Sequence, residues 1–192
     1  MKIAITGTIG GGKSQASEYL RALGFEVYDT DKMVHDYYEK NGRLYDALIT
    51  MFGHGILTPT GDIDRSKIAA IVFNDYEKLD ALENLVFPQI QQDVNQVNAQ
   101  NQIMFFEVPL LFESHSEKTF DKVMMITAPY STRIQRLARR GLDEEEVNRR
   151  SKRHLDEASK IEKSNFVINN DGSLAELHDC IDAVIHKLRG EQ

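Results

Sequence analysis

Residues Gly7 to Ser14, read as GTIGGGKS, have the composition and spacing of a phosphate-binding turn. Gly7, four residues, then Gly12-Lys13-Ser14 fits G-x-x-x-x-G-K-S/T, in which small residues let successive backbone N–H groups converge on one phosphate. Lys13 then reaches the β- and γ-phosphates, Ser14 ligates Mg²⁺, and the N-terminus of the following helix adds partial positive charge. The competing reading is a glycine-rich turn with an accidental Gly-Lys-Ser. The context speaks against it, because an apolar run, Ile3-Ala4-Ile5, precedes the turn and a helical stretch follows it.

Three further groups carry chemistry. Asp29 and Asp31 stand at the end of the apolar stretch Phe25 to Tyr28. If the strand continues, they share its parity and both point toward the glycine turn. One carboxylate could then accept the proton of an incoming hydroxyl while the other orients Mg²⁺. The alternative for Asp29 is a cap on a helix beginning near Lys32. Glu107 sits inside the apolar run Ile103 to Phe112, where an unpaired charge is costly. It reads equally as the acid that ends a hydrophobic strand beside a nucleotide and as a buried Glu satisfied locally. Arg133, Arg136, Arg139, Arg140, Arg149, Arg150, Lys152 and Arg153 crowd one segment, against Asp143, Glu144, Glu145 and Glu146. Such a segment can close over a transferring phosphoryl group and stabilise its charge. Arg133, Arg136 and Arg140 fall at i, i+3 and i+7, the spacing of one helix face. Most of the other cations are expected to pair with the neighbouring acids. The histidines are scattered without zinc-ligand spacing, and no Ser-His-Asp or Cys-His order is suggested.

These groups need a scaffold. Apolar strands are predicted near residues 3, 26, 105, 124 and 167, separated by helices, which implies a five-stranded parallel sheet in a three-layer α/β fold whose strand order stays open. Ala16, Tyr19, Leu20 and Leu23 form the stripe of the first helix, which ends at Gly24. Residues 32–100 read as a helical insertion, with Asp64 as a cap and Pro88 as a break or kink. Leu177, Ile181, Val184, Ile185 and Leu188 give the closing helix its buried face. The chain has 192 residues and a formal charge of −7, which disfavours a general nucleic-acid or membrane-surface binder. Cys180, the single cysteine, excludes an internal disulfide and reads as a small core residue in a reducing compartment. With no apolar leader and no long apolar run, a cytoplasmic location is expected.

In order, GTIGGGKS, Asp29-Thr30-Asp31, Asp64-Arg65, Glu107-Val108-Pro109-Leu110-Leu111-Phe112-Glu113, Arg136 and Arg140 before Gly141, and Phe166 to Gly172 resemble the dephospho-CoA kinase family. The resemblance covers nearly the whole chain. It implies a P-loop kinase fold with a nucleotide-binding core (1–31, 101–132 and 156–192), a helical acceptor-binding insertion (32–100) and an Arg-rich lid (133–155). It also implies transfer of the ATP γ-phosphate to the ribose 3′-hydroxyl of dephospho-CoA, with Mg²⁺, as the last step of coenzyme A synthesis, in a monomer or small homo-oligomer. By matched position, Gly10, Gly11, Gly12, Lys13, Ser14 and Gln15 bind ATP, and Ser14 holds Mg²⁺. Asp31 is the base, and Lys13 and Arg140 stabilise the transferring group, with Asp29, Arg136 and Glu107 as further contacts. Thr30, Gln15, Phe87 before Pro88, His154 and Ser164-Asn165 depart from the family's usual residues, and the segment between Arg140 and Gly141 is one residue short. Two rivals remain: a kinase for another small acceptor, and a nucleotide switch. The switch is disfavoured because Asn169-Asn170-Asp171-Gly172 lacks the Lys of a guanine-binding motif.

Overall fold

The structure, a computed structural model, describes residues 1–100, 102–145, 147 and 155–191. In chain order its elements are β1 (Lys2–Gly7), α1 (Lys13–Ala22), β2 (Val27–Asp29), α2 (Thr30–Tyr38), α3 (Tyr45–Phe52), α4 (Arg65–Val72), α5 (Tyr76–Gln96), β3 (Met104–Glu107), β4 (Lys122–Thr127), α6 (Tyr130–Ala138), α7 (Glu157–Glu162), β5 (Phe166–Asn169) and α8 (Leu174–Gly190). They form two compact units, residues 1–28 with 98–192, and residues 29–97.

The larger unit is built on an all-parallel five-stranded sheet in the order β2-β3-β1-β4-β5. Parallel neighbours cannot be joined by hairpins, so every connection crosses over a face of the sheet and both faces become covered. That explains the continuous apolar runs in the sequence. Ile3 and Ile5 of β1 point to one face with Phe105, Met124 and Ile126, packing on Ala16 and Leu20 of α1 and on Leu177, Ile181 and Leu188 of α8. The alternate residues Ala4, Phe106 and Met125 are equally buried, and Phe106 stacks on Tyr28 with ring centroids 4.9 Å apart. β1 is central, pairing Lys2 to Ile5 with Met104 to Glu107 and Ile3 to Gly7 with Lys122 to Ile126.

The predicted buried face of α8 is observed in full, and Ser173 closes a capping box with Glu176 at its start. Two expectations about helix faces are corrected. Cys180 is exposed, because it precedes Ile181 by one position, a rotation of about 100° away from the buried stripe. Leu23 is also exposed, at 44%. It is the C-cap of α1, where the helix turns away through Gly24 at φ +88°.

The smaller unit is helical. Aspartates cap three of its helices: Asp29 for α2, Asp64 for α4 and Asp75 for α5, each accepting from backbone N–H groups of the first turn. Its core gathers Tyr37, Tyr38, Leu48, Ile56, Ile68, Val72 and Val86. Tyr37 donates to Asp93 at 2.6 Å, and Arg43 donates to the other Asp93 oxygen at 2.7 Å, which ties the α2–α3 connection to α5. Pro88 does not break the helix: α5 runs without interruption from Tyr76 to Gln96. Leu79, Leu82, Leu85, Val86 and Ile90 pack into one core on both sides of it, and that packing outweighs the one hydrogen bond a proline removes.

Candidate active site

In the larger unit the glycine turn leaves the central strand at Gly7 and enters α1 at Gly12. A Cβ on Gly7 would lie 1.9 Å from the carbonyl oxygen of Ile126, and one on Gly12 would lie 2.2 Å from Asn170 Nδ2, at a backbone φ of +109°. No side chain fits at either position, so bare backbone lines the turn. Its floor is fixed from three sides. Gly11 N–H donates to Thr8 O at 3.0 Å and Thr8 N–H to Ile126 O at 3.3 Å. Buried Asn170 donates its Nδ2 to Gly11 O at 2.9 Å. Lys13 and Ser14 open α1, and Ser14 and Gln15 are exposed.

Glu107 ends β3 opposite Ile5 of β1, which places it beside the strand that feeds the glycine turn. Buried Ser17, one turn into α1, donates to Glu107 Oε2 at 2.9 Å. The carboxylate is thus held locally, as one of its two readings expects, at the end of the strand beside β1. The exposed Ser14 hydroxyl and this carboxylate are hard oxygen donors of the kind Mg²⁺ takes, and the uncluttered glycine backbone suits phosphate.

α6 packs against the turn: a Cβ on Gly10 would lie 3.1 Å from Arg133 O and 3.0 Å from Leu137 Cδ1, so the neighbours would have to give way. Arg133 is committed elsewhere, its Nε on Ala128 O at 2.9 Å and its Nη2 on Glu157 at 3.3 Å. Arg136 is half-buried, and its Nη1 has no hydrogen-bond partner among the described residues. The single face expected to carry three arginines carries Arg133 and Arg136. Arg140 lies beyond the end of α6, in a turn closed by Leu142 N–H on Leu137 O and Gly141 N–H on Ala138 O, with Gly141 at φ +79°. Those two bonds and the left-handed glycine make a Schellman stop. Of the acids expected to pair with arginine, Glu144 accepts from Tyr130 Oη at 2.7 Å. Glu146, Arg149, Arg150, Lys152, Arg153 and His154 lie outside the described residues.

In the smaller unit, β2 gives way to helix at Asp29. One Asp29 oxygen accepts from Asp31 N–H at 2.9 Å and Lys32 N–H at 3.2 Å. The capping alternative therefore holds, and the shared strand parity does not. Asp31 is a first-turn residue of α2, exposed to solvent.

Sequence reading missed several supporting groups. Glu157 accepts from Thr127 Oγ1 as well as from Arg133, so it joins the end of β4 to α6. Glu113 accepts Lys160 Nζ at 2.6 Å, with Lys160 only 1% exposed, and also Leu155 N–H at 2.8 Å. These partners are 42 to 47 residues apart in sequence, and no local periodicity marks them. A charged residue inside the short amphipathic stretch of α7 was the one available signal.

The dephospho-CoA kinase family model matches residues 1–176. The chain belongs to the dephospho-CoA kinase family. A dephospho-CoA kinase from Aquifex aeolicus is 35% identical over 190 residues, covering 97% of each chain. The solved structure of a dephospho-CoA kinase from Campylobacter jejuni superposes with a TM-score of 0.74 at 29% identity, covering all of both chains. A shikimate kinase from Acinetobacter baumannii shares the fold alone, with a TM-score of 0.57 at 13% identity over 100% of this chain and 94% of its own. The P-loop kinase fold expected from the residues is the one observed. Membership of the dephospho-CoA kinase family makes the chain an enzyme of ATP-dependent phosphorylation in the last step of coenzyme A biosynthesis. Among the described residues no helix is long and apolar enough to cross a membrane.

Proposed function

We infer that the enzyme transfers the γ-phosphate of ATP to the ribose 3′-hydroxyl of dephospho-CoA by in-line displacement. The observation that carries this reading is the side-chain-free turn between β1 and α1, pinned by Asn170 and followed by Lys13 and Ser14, in a chain of this family. Backbone N–H groups and Lys13 bind and orient the β- and γ-phosphates. Mg²⁺, held by Ser14 with Glu107 behind it, supplies charge neutralisation when bound. Gly10 to Gln15 enclose the phosphates, and Arg136 and Arg140 stabilise the charge that spreads over the migrating group. Asp31 accepts the proton of the acceptor hydroxyl, while Asp29 positions Asp31 by capping the helix that carries it. The helical unit holds the acceptor. The chain works in the cytoplasm on small molecules, without nucleic acid, as a monomer or small homo-oligomer.

Coupled ADP release across a panel of acceptors tests the reading. Dephospho-CoA is expected to drive turnover, whereas a strong response to a nucleoside monophosphate with none to dephospho-CoA would sink it. Asp31→Asn is expected to lower kcat by roughly 10²- to 10⁴-fold with ATP binding unchanged. Turnover near wild type would move the base elsewhere.

A further inference from the structure

A cleft of about 360 Å³ opens in the helical unit, lined among others by His35, Tyr38, Glu39, Lys40, Asp62 and Arg65. Arg65 is the first residue of α4 and is exposed. Its one polar contact among the described residues is Nη1 to His35 Nδ1 at 3.2 Å, and no carboxylate pairs with it although Glu39 and Asp62 share the cleft. Because guanidinium has no acceptor, Nδ1 must accept, which leaves the proton of neutral His35 on Nε2. The pair therefore offers only donors outward: the remaining guanidinium N–H groups and the imidazole Nε2–H.

Two other lining residues are bound to the Thr60 segment. Lys40 Nζ donates to Thr60 O at 2.7 Å, and Asp62 accepts from Thr60 Oγ1 at 2.6 Å. Buried Tyr38 forms the floor, and the charge of Arg65 reaches its phenol. What is left exposed without a side-chain partner of its own in the cleft, among the described residues, is the Glu39 carboxylate and, bound only to each other, a planar cation with an adjacent imidazole, the combination that matches phosphate oxygens.

His35 also lies four residues after Asp31 on α2, so the two side chains stand on the same face a little over one turn, ~6 Å, apart along the axis. In a ribonucleotide the 3′-hydroxyl and the phosphorus on the 5′-oxygen are separated by a comparable distance. An acceptor whose hydroxyl meets Asp31 then brings its 5′-phosphoryl group to Arg65 and His35. We propose that Arg65, with His35, binds the diphosphate ester on the 5′-carbon of the acceptor and so selects phosphorylated nucleotides over plain nucleosides. The assignment rests on the proposed role of Asp31 and on the nucleotide nature of the acceptor.

Calorimetric binding and ADP release on the full chain test it, with dephospho-CoA and adenosine as probes and with Arg65→Met, Arg65→Lys and His35→Ala as variants. Arg65→Met is expected to raise the Kd and KM for dephospho-CoA roughly 10- to 100-fold while leaving kcat and the KM for ATP near wild type. Binding of adenosine, which carries no phosphate, should stay as in wild type. Arg65→Lys should recover part of the loss, since charge returns without the fork geometry, and His35→Ala should show a smaller effect of the same kind. Unchanged dephospho-CoA affinity in Arg65→Met would overturn the proposal, as would an equal loss for both probes, which marks a structural role. If the wild type binds dephospho-CoA with the expected Arg65 dependence but does not phosphorylate it, the proposed reaction falls and the binding site stands. Absence of binding to the wild type overturns both.

Discussion

Lys160 and Glu113 meet where neither charge has ready access to water, and Glu113 also receives the N–H of Leu155. Desolvation makes such a pair weak evidence for stability while it is intact, yet removing one partner strands the other charge. Lys160→Met is therefore expected to cost about 3–5 kcal/mol in urea unfolding. Adding Glu113→Leu to that variant should restore much of the loss. If the single and double variants are equally unstable, the cost lies in packing and not in the orphaned carboxylate. The pair fixes the entry to α7, whose Glu157 grips Arg133 and Thr127. A defect there should propagate to the arginines of α6 before it reaches the glycine turn.

Among the elements, α2 does the most. It begins at a capped aspartate, carries Asp31 in its first turn and His35 one turn later, and ends on the buried phenols of Tyr37 and Tyr38. Burial pushes the Tyr38 phenol up to about 12, against a smaller lowering by Arg65, and Tyr37 is raised as well by burial and by its hydrogen bond to Asp93. A folded pKa above the unfolded value of about 10 means that the neutral phenol stabilises the fold fully below pH 10. For Tyr38 that contribution is lost as pH rises from there through about 12. In ultraviolet titration the two phenols should ionise after the exposed tyrosines. Tyr38→Phe should make the stability of the helical unit fall less steeply between pH 10 and 12. An identical alkaline decline in wild type and variant would contradict this account. The element also shows where reading by period fails: Asp29-Thr30-Asp31 follows a strand and keeps its parity on paper, but a capping aspartate converts the chain to helix within one residue.

For the molecule as a whole, ligand linkage gives the broadest test. ATP with Mg²⁺ at 100-fold excess over its Kd should add about 2.7 kcal/mol to unfolding, and Lys13→Met should remove most of that gain without changing the unliganded midpoint. A variant stabilised by ATP as strongly as wild type would remove Lys13 from the phosphate site. The sheet and its glycine turn were legible beforehand because their signals are local: apolar runs of strand length and glycines at fixed spacing. The strand order was not, since any order satisfies the same runs. Asn170 could be read as a turn residue, but its grip on Gly11 depends on the ends of β1 and β5 meeting across β4, which lies between them in the sheet. The Lys160–Glu113 pair and the Arg65–His35 contact are likewise products of the fold. The break that Pro88 allowed for is absent, because the proline rule weighs one backbone bond and knows nothing of the core on either side.

The central place of β1 also has a meaning in time. Its neighbours are β3, from Met104, and β4, from Lys122, whereas the helical unit is one unbroken stretch, residues 29–97. As the chain leaves a ribosome, the helices can close on local contacts while the first strand waits, bare on both edges, for partners about a hundred residues behind it. The glycine turn takes its working shape only when Asn170, 159 residues after Gly11, emerges, so the ability to hold a phosphate arrives long after the turn itself is made.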